Sequence, residues 1–107
     1  MIDFKEIAIS ILEKQGVNAS SVSMAIPGDF VHINLYTTPK SPGDRSIGLN
    51  IRLDSDLEEN GTWPTRTQVR WIEIVDATSH EAREMAHLMA VAAELAAAFD
   101  TAIGTMP

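Results

Sequence analysis

The chain has 107 residues, no cysteine and a formal net charge of −7, with 45% hydrophobic and 21% charged residues. These values indicate a single globular domain over residues 1–107, and they exclude disulfides, thiolate metal sites and cysteine nucleophiles. Because eight basic residues face fifteen acidic ones, we expect no direct binding to nucleic acid, which depends on Lys and Arg.

The first predicted element is a helix over residues 3–15. Asp3 can cap it, with Glu6 three residues later, and apolar residues recur on one face at about 100° per residue. Gly16 is the expected stop, because glycine readily takes the left-handed conformation after the last helical turn. Acidic residues stand near the start, where a leader segment would be positively charged, and this favours a cytoplasmic protein.

The apolar period then changes to two. Alternation over residues 22–26 and 31–35, on either side of the turn Pro27-Gly28-Asp29, predicts a β-hairpin. The segment TTPKSPGDR, residues 37–45, predicts a mobile loop. Residues 47–53 alternate most regularly and predict a half-buried strand.

A second long loop is predicted over residues 54–66, and a last strand over residues 67–75. The inward face of that strand is ambiguous, because Trp71 and Ile72 are adjacent and both apolar. The final helix is expected to begin near Thr78, where Thr78-Ser-His-Glu81 has the pattern of a capping box.

The predicted order is therefore α-β-β-β-β-α. No helix separates the strands, so we expect an α+β fold with an antiparallel sheet of about four strands and both helices packed on one face. No membrane span is expected, because the longest stretch of low charge, Met85 to Phe99, is short and contains Glu94.

The start of the last helix carries the best candidate for a chemical site. His80, Glu84 and His87 fall on one helix face, and such a face could in principle hold a metal ion. The His-Glu-x-x-His pattern of zinc peptidases fails, because Glu84 stands where the second histidine is required. A solvated helix end is the preferred interpretation, and no cofactor is predicted.

The same helix predicts a packing role. One wide face is apolar and should pack on the sheet. Four alanines form a second stripe at helical spacing, and small side chains let another helix approach closely. The other helix is either the N-terminal helix of the same chain or the same helix of a second subunit in a homodimer. The stripe consists of Ala86, Ala90, Ala93 and Ala97.

The predicted 54–66 loop is the candidate partner-binding segment. It combines the carboxylates Asp54, Asp56, Glu58 and Glu59 with Trp63. The calcium-loop pattern fails here at its required glycine and at its last glutamate. A tryptophan in a polar loop either folds back onto the core or acts as a hot spot for a partner.

No catalytic motif emerges, so the leading hypothesis is a small acidic, non-enzymatic protein–protein interaction module from a bacterium or phage. One version is an inhibitor, of an anti-defence or immunity type, that presents carboxylates to a nucleic-acid-binding protein. A dimeric secretion-type chaperone is an alternative that rests on fold-level analogy. A metal-binding protein or small enzyme that uses the His/Glu/His helix face is the competing class.

Overall fold

The computed structural model describes residues 3–17, 22–25, 30–54, 67–71 and 76–104. Its elements are α1 (Phe4–Lys14), β1 (Val22–Ala25), β2 (Phe30–Tyr36), β3 (Gly48–Asp54), β4 (Gln68–Trp71) and α2 (Ser79–Gly104). The strands lie in the order β1-β2-β3-β4, and all neighbours are antiparallel. The predicted α+β class, with an antiparallel sheet and helices at both ends of the chain, is confirmed.

Helix α1 begins and ends where local hydrogen bonds fix it. The Asp3 side chain accepts a hydrogen bond from the backbone N–H of Glu6 at 3.0 Å, as the predicted cap requires. At the other end Gly16 has a φ of 68°. The N–H groups of Gly16 and Val17 donate to carbonyls of the last turn at 3.1 and 3.0 Å. This is the Schellman arrangement, so the predicted stop at Gly16 is confirmed.

One face of the sheet is apolar and completely covered. Val31, Ile33 and Leu35 of β2 have no exposed surface, and neither have Leu49 and Ile51 of β3. In the β2–β3 register Ile33 lies opposite Ile51 and Leu35 opposite Leu49. The alternation of apolar and polar residues therefore predicted the inward face of both central strands correctly.

The two edge strands complete this apolar face. Met24 of β1 lies opposite Ile33, and Val69 of β4 lies opposite Ile51. Both Met24 and Val69 are partly buried against the core. The position of Val69 resolves the ambiguous face of the last strand. The predicted turn at residues 27–29 and the predicted continuation of the last strand over 72–75 lie outside the described residues.

Both helices pack on this same face and share its core. The rings of Phe4 and Phe99 meet edge to face, with centroids 5.4 Å apart and planes at 86°, a favourable aromatic geometry. The opposite face of the sheet carries polar residues such as Asn34, Asn50 and Arg70. The buried helical residues of the core are Phe4, Ala8 and Leu12 of α1 with Leu88, Val91, Ala92, Leu95 and Phe99 of α2.

Candidate functional site

The acidic partner-binding segment falls almost entirely outside the described residues. Asp54 is the last residue of β3, while Asp56, Glu58, Glu59 and Trp63 belong to residues 55–66, which the structure does not describe. The partner-binding role of these five residues stays a prediction from the sequence.

The start of α2 is held by a reciprocal pair of hydrogen bonds. The backbone N–H of Thr78 donates to Glu81 Oε1 at 2.7 Å, and the backbone N–H of Glu81 donates to Thr78 Oγ1 at 3.1 Å. The predicted capping box is therefore confirmed. Glu81 is also 1% exposed, which is unusual for a carboxylate unless it is paired.

Arg45 is the partner of this buried carboxylate. Its backbone N–H donates to Glu81 Oε2 at 2.6 Å, and its guanidinium lies 3.3 Å from both carboxylate oxygens. The same guanidinium donates to the backbone carbonyl of Asp76. The hydrogen bonds from Arg45, followed by the backbone N–H of Thr78, lower the pKa of Glu81 from 4.5 to about 2. Glu81 is thus a permanent acceptor at neutral pH.

Asp44 repeats this role in the loop between β2 and β3. Its Oδ1 accepts from the Thr78 hydroxyl at 2.8 Å. Its Oδ2 accepts from the backbone N–H groups of Lys40 and Ser41, both at 3.1 Å. The Thr78 hydroxyl, followed by the Lys40 N–H, lowers the pKa of Asp44 from 3.8 to about 2. The loop predicted to be mobile is therefore tied by hydrogen bonds to the start of α2.

Thr37 closes the same loop at its base. The residue is 1% exposed. Its hydroxyl accepts from the backbone N–H of Ile47 at 2.7 Å and donates to the carbonyl of Arg45 at 3.0 Å. Its backbone N–H donates to the Ile47 carbonyl at 2.8 Å. A buried hydroxyl that is satisfied in both directions fixes the turn between β2 and β3.

His80 and Glu84 are paired with each other and with the chain after β2. His80 Nε2 lies 2.8 Å from the Thr38 carbonyl oxygen and 3.2 Å from Glu84 Oε1. Glu84 Oε2 accepts from the Thr38 backbone N–H at 3.2 Å. Because both neighbours of Nε2 are oxygen acceptors, we infer that this nitrogen carries a proton and donates. It is therefore not available to a metal ion.

His87 does not join that pair. It is exposed and borders a cleft of about 230 Å³, whose wall also includes Glu84 and Tyr36. Within the part of the chain that the structure describes, no group of three or more His, Asp or Glu side chains could hold a metal ion. His80, Glu84 and His87 share a helix face as predicted, but they are not gathered into a set of ligands.

The alanine stripe faces away from the core. Ala86, Ala90, Ala93 and Ala97 are all exposed. The core-facing side of α2, centred near Phe99 and Leu88, lies about 180° around the helix from the stripe at 100° per residue. The alternative in which the stripe receives the N-terminal helix of the same chain is therefore wrong. The contact with a second subunit stays a prediction.

Other small residues of the two helices are buried in their shared core. Ala8 on α1 and Ala92 on α2 are both 0% exposed and belong to the shared core. Beside that core, Gln15 Nε2 donates to Glu94 Oε2 at 2.6 Å. The sequence did not distinguish Ala92 from its neighbours, because alanines occupy nearly every direction around this part of α2.

The face of the sheet opposite the helices carries polar side chains in its described part. His32, Asn34 and Tyr36 are half-buried there, while Arg52 and Arg70 are exposed. Two amide side chains form a hydrogen bond between β2 and β3: Asn50 Nδ2 donates to Asn34 Oδ1 at 2.9 Å. These residues add no support for the chaperone alternative, which an exposed apolar groove on the sheet would strengthen, and that alternative stays a prediction.

By length and composition alone, the described part of the chain contains one helix, α2, that could cross a membrane. Leu88, Val91, Leu95 and Phe99 of this helix, however, are buried in the core that it shares with the sheet. Core helices of this kind also meet a hydropathy criterion, so the observation is weak evidence for a membrane span.

The comparisons with known proteins add no functional information: no family model, no curated protein and no solved structure matches the chain. Function must therefore be argued from geometry. Glu81, Asp44, His80 and Glu84 are engaged in hydrogen bonds that hold the fold. The outer face of α2 is defined as Arg83, Ala86, Ala90, Ala93, Ala97 and Asp100. Its four alanines are exposed, and of its two charged residues Asp100 also accepts hydrogen bonds from Thr67.

Proposed function

We propose that the protein is a small, non-enzymatic protein–protein interaction module whose contact surface is the outer face of α2. The observation that carries this proposal is the direction of the alanine stripe. Surface helices normally direct charged and polar side chains away from the core. Here Ala86, Ala90, Ala93 and Ala97 occupy that direction, which leaves a smooth surface that a second helix can approach.

Alanine is also the strongest helix former, so the abundance of alanine alone would not indicate a contact surface. The distribution of charge adds the second part of the argument. Between Ala86 and Ala97 the exposed charged or titratable residues of α2 are His87 and Glu94, both beside the stripe. Charge is depleted from the centre of protein interfaces and is kept at their rims. The outer face of α2 has this arrangement.

The non-enzymatic part of the proposal is supported by the state of the polar groups. Glu81 and Asp44 have low pKa values and several hydrogen bonds each, so they are poor proton carriers at neutral pH. His80 is held between Thr38 and Glu84. These groups stabilise the connection between the sheet and α2, a role that needs no substrate.

Site-specific photo-crosslinking would test the proposed surface. A photoreactive amino acid placed at Ala93 should form discrete covalent products in bacterial cells that express the protein. The same group at Ser10, which is exposed on α1, serves as the matched control and should form none. Equal product patterns at the two positions, or no product at Ala93, would refute the proposed contact surface.

The inhibitor version of this function rests on the acidic loop and needs a separate test. Its partner would be a basic nucleic-acid-binding protein, attracted by Asp56, Glu58 and their neighbours. Reversing Asp56 and Glu58 to Lys should weaken capture of such a protein and reduce the salt dependence of the capture. Capture that is unchanged by the reversal would reject this version, while the α2 surface would be unaffected.

A further inference from the structure

The outer face of α2 has a symmetry that helix formation does not require. Its six residues follow one another at alternating spacings of three and four residues, so they form a continuous line along the helix. The midpoint of this line lies between Val91 and Ala92, which is also the midpoint of the helix Ser79–Gly104. Each residue of the line therefore has a counterpart at an equal distance beyond the midpoint.

The counterparts are chemically complementary. Ala90 corresponds to Ala93, and Ala86 corresponds to Ala97, so small side chains correspond to small side chains. Arg83 corresponds to Asp100, a pair of opposite charge. If two copies of α2 pack antiparallel about a two-fold axis through the midpoint, every residue meets its counterpart. Four alanine layers then fill the centre, and one Arg–Asp pair closes each end.

The charged residues beside this line of side chains favour the same antiparallel orientation. His87 and Glu94 lie on one side of it, each close to the stripe. In an antiparallel pair that side faces itself, so His87 of each copy lies about 3 Å along the axis from Glu94 of the other, within reach of its side chain. A parallel pair would instead place Arg83 beside Arg83 and Asp100 beside Asp100, which is unfavourable. The charges therefore select the antiparallel orientation.

The end pairs are compatible with the fold of each copy. Arg83 is exposed. Asp100 Oδ1 accepts from the backbone N–H and the hydroxyl of Thr67, at 2.6 and 2.9 Å, so the contact with a second copy would use Oδ2. Alanine layers allow helix axes to approach to about 8 Å. The helix is about 40 Å long at 1.5 Å per residue, so it is long enough for the four alanine layers and both end pairs.

We infer that the partner of the outer face of α2 is a second copy of this chain, packed antiparallel with Ala90 against Ala93 and Arg83 against Asp100. This inference rests on the proposed function, because it names the partner of the same surface. A contact between single helices buries less area than the interfaces of permanent dimers. The dimer is accordingly reversible and depends on protein concentration.

Cysteine crosslinking gives a direct test, because the chain contains no cysteine. In the antiparallel pair, position 86 of one copy lies beside position 97 of the other, whereas the two positions 86 are about 16 Å apart along the axis at 1.5 Å per residue. Disulfides require Cα atoms within about 7 Å. The variants Ala86→Cys and Ala97→Cys would be oxidised separately and as a mixture, with Ser10→Cys as the control for random collision.

A disulfide-linked dimer in the mixture, at several times the yield of either variant alone or of the control, supports the antiparallel pair. Efficient crosslinking of each variant with itself overturns it, and so does the absence of crosslinking in the mixture. In the supporting case Arg83→Ala should raise the Kd of the dimer about 2- to 30-fold. Photo-crosslinks from Ala93 to another protein, without crosslinks between copies, would refute self-pairing and leave the proposed function standing.

Discussion

Glu81 combines two roles that are usually separate. It caps α2 together with Thr78, and it binds the backbone and guanidinium of Arg45 from the loop between β2 and β3. The capping role was visible in the sequence, because a capping box is a local pattern. The role of Arg45 was not visible, because the two residues are 36 positions apart and no local spacing connects them.

The low pKa values of Glu81 and Asp44 predict acid sensitivity. Both groups have folded pKa values of about 2, below their ordinary 4.5 and 3.8. Their contribution to stability is complete above the ordinary values, and it is lost as the pH falls from about 5 towards 2. The variant Glu81→Gln should be less stable at pH 7 and should lose less stability over this range. Chemical denaturation at several pH values measures both effects, and parallel curves for the two proteins would contradict this explanation.

Substitutions at Thr37 and Thr38 form a matched pair that tests what holds the loop between β2 and β3. Thr37→Val keeps the shape but leaves the buried N–H of Ile47 without its acceptor, at an expected cost of about 1–3 kcal/mol in the free energy of unfolding. The Thr38 side chain is exposed, so Thr38→Val should change stability by less than about 0.5 kcal/mol. Urea denaturation measures both. Equal effects would show that the Thr37 hydroxyl does not hold the loop.

At the scale of elements, local sequence patterns predicted the features that depend on residues close together in the chain. Both helix starts, the stop at Gly16 and the inward faces of β2 and β3 follow from capping chemistry and apolar alternation. The direction of the alanine stripe could not be predicted in this way. A helix so rich in alanine has no sharp apolar boundary, and only the tertiary packing around Leu88, Leu95 and Phe99 fixes which alanines are buried.

Ala92 and Ala93 are adjacent in the sequence, but Ala92 is buried and Ala93 is exposed. Substitutions at these two positions test which side of α2 faces the core. Ala92 is 0% exposed in the core, so Ala92→Leu should overpack the core and lower the free energy of unfolding by about 1–3 kcal/mol. Ala93 is exposed, and Ala93→Leu should leave the stability of the monomer within about 0.5 kcal/mol of the wild type. Thermal and urea denaturation at low protein concentration compare the two. The reverse order would mean that the helix is rotated from the described position.

At the scale of the whole molecule, the charged side chains behind the net charge of −7 are unevenly distributed. Several of the described carboxylates hold the fold, including Glu81, Asp44 and Asp100. The outer face of α2 is apolar in its centre, with opposite charges towards its two ends. The negative net charge is the basis of the expectation that the protein does not bind nucleic acid directly, and the apolar centre of the outer face of α2 is the basis of the proposed contact with a second helix.

The most direct test of this account is a methyl NMR spectrum of the protein with isotope-labelled alanines. It would be recorded at rising protein concentration and then in bacterial lysate. The methyl signals of Ala86, Ala90, Ala93 and Ala97 should shift or broaden, while those of the buried Ala8 and Ala92 should not. If the outer alanines stay unchanged under both conditions, or if all alanine signals change alike, the outer face of α2 is not the contact surface.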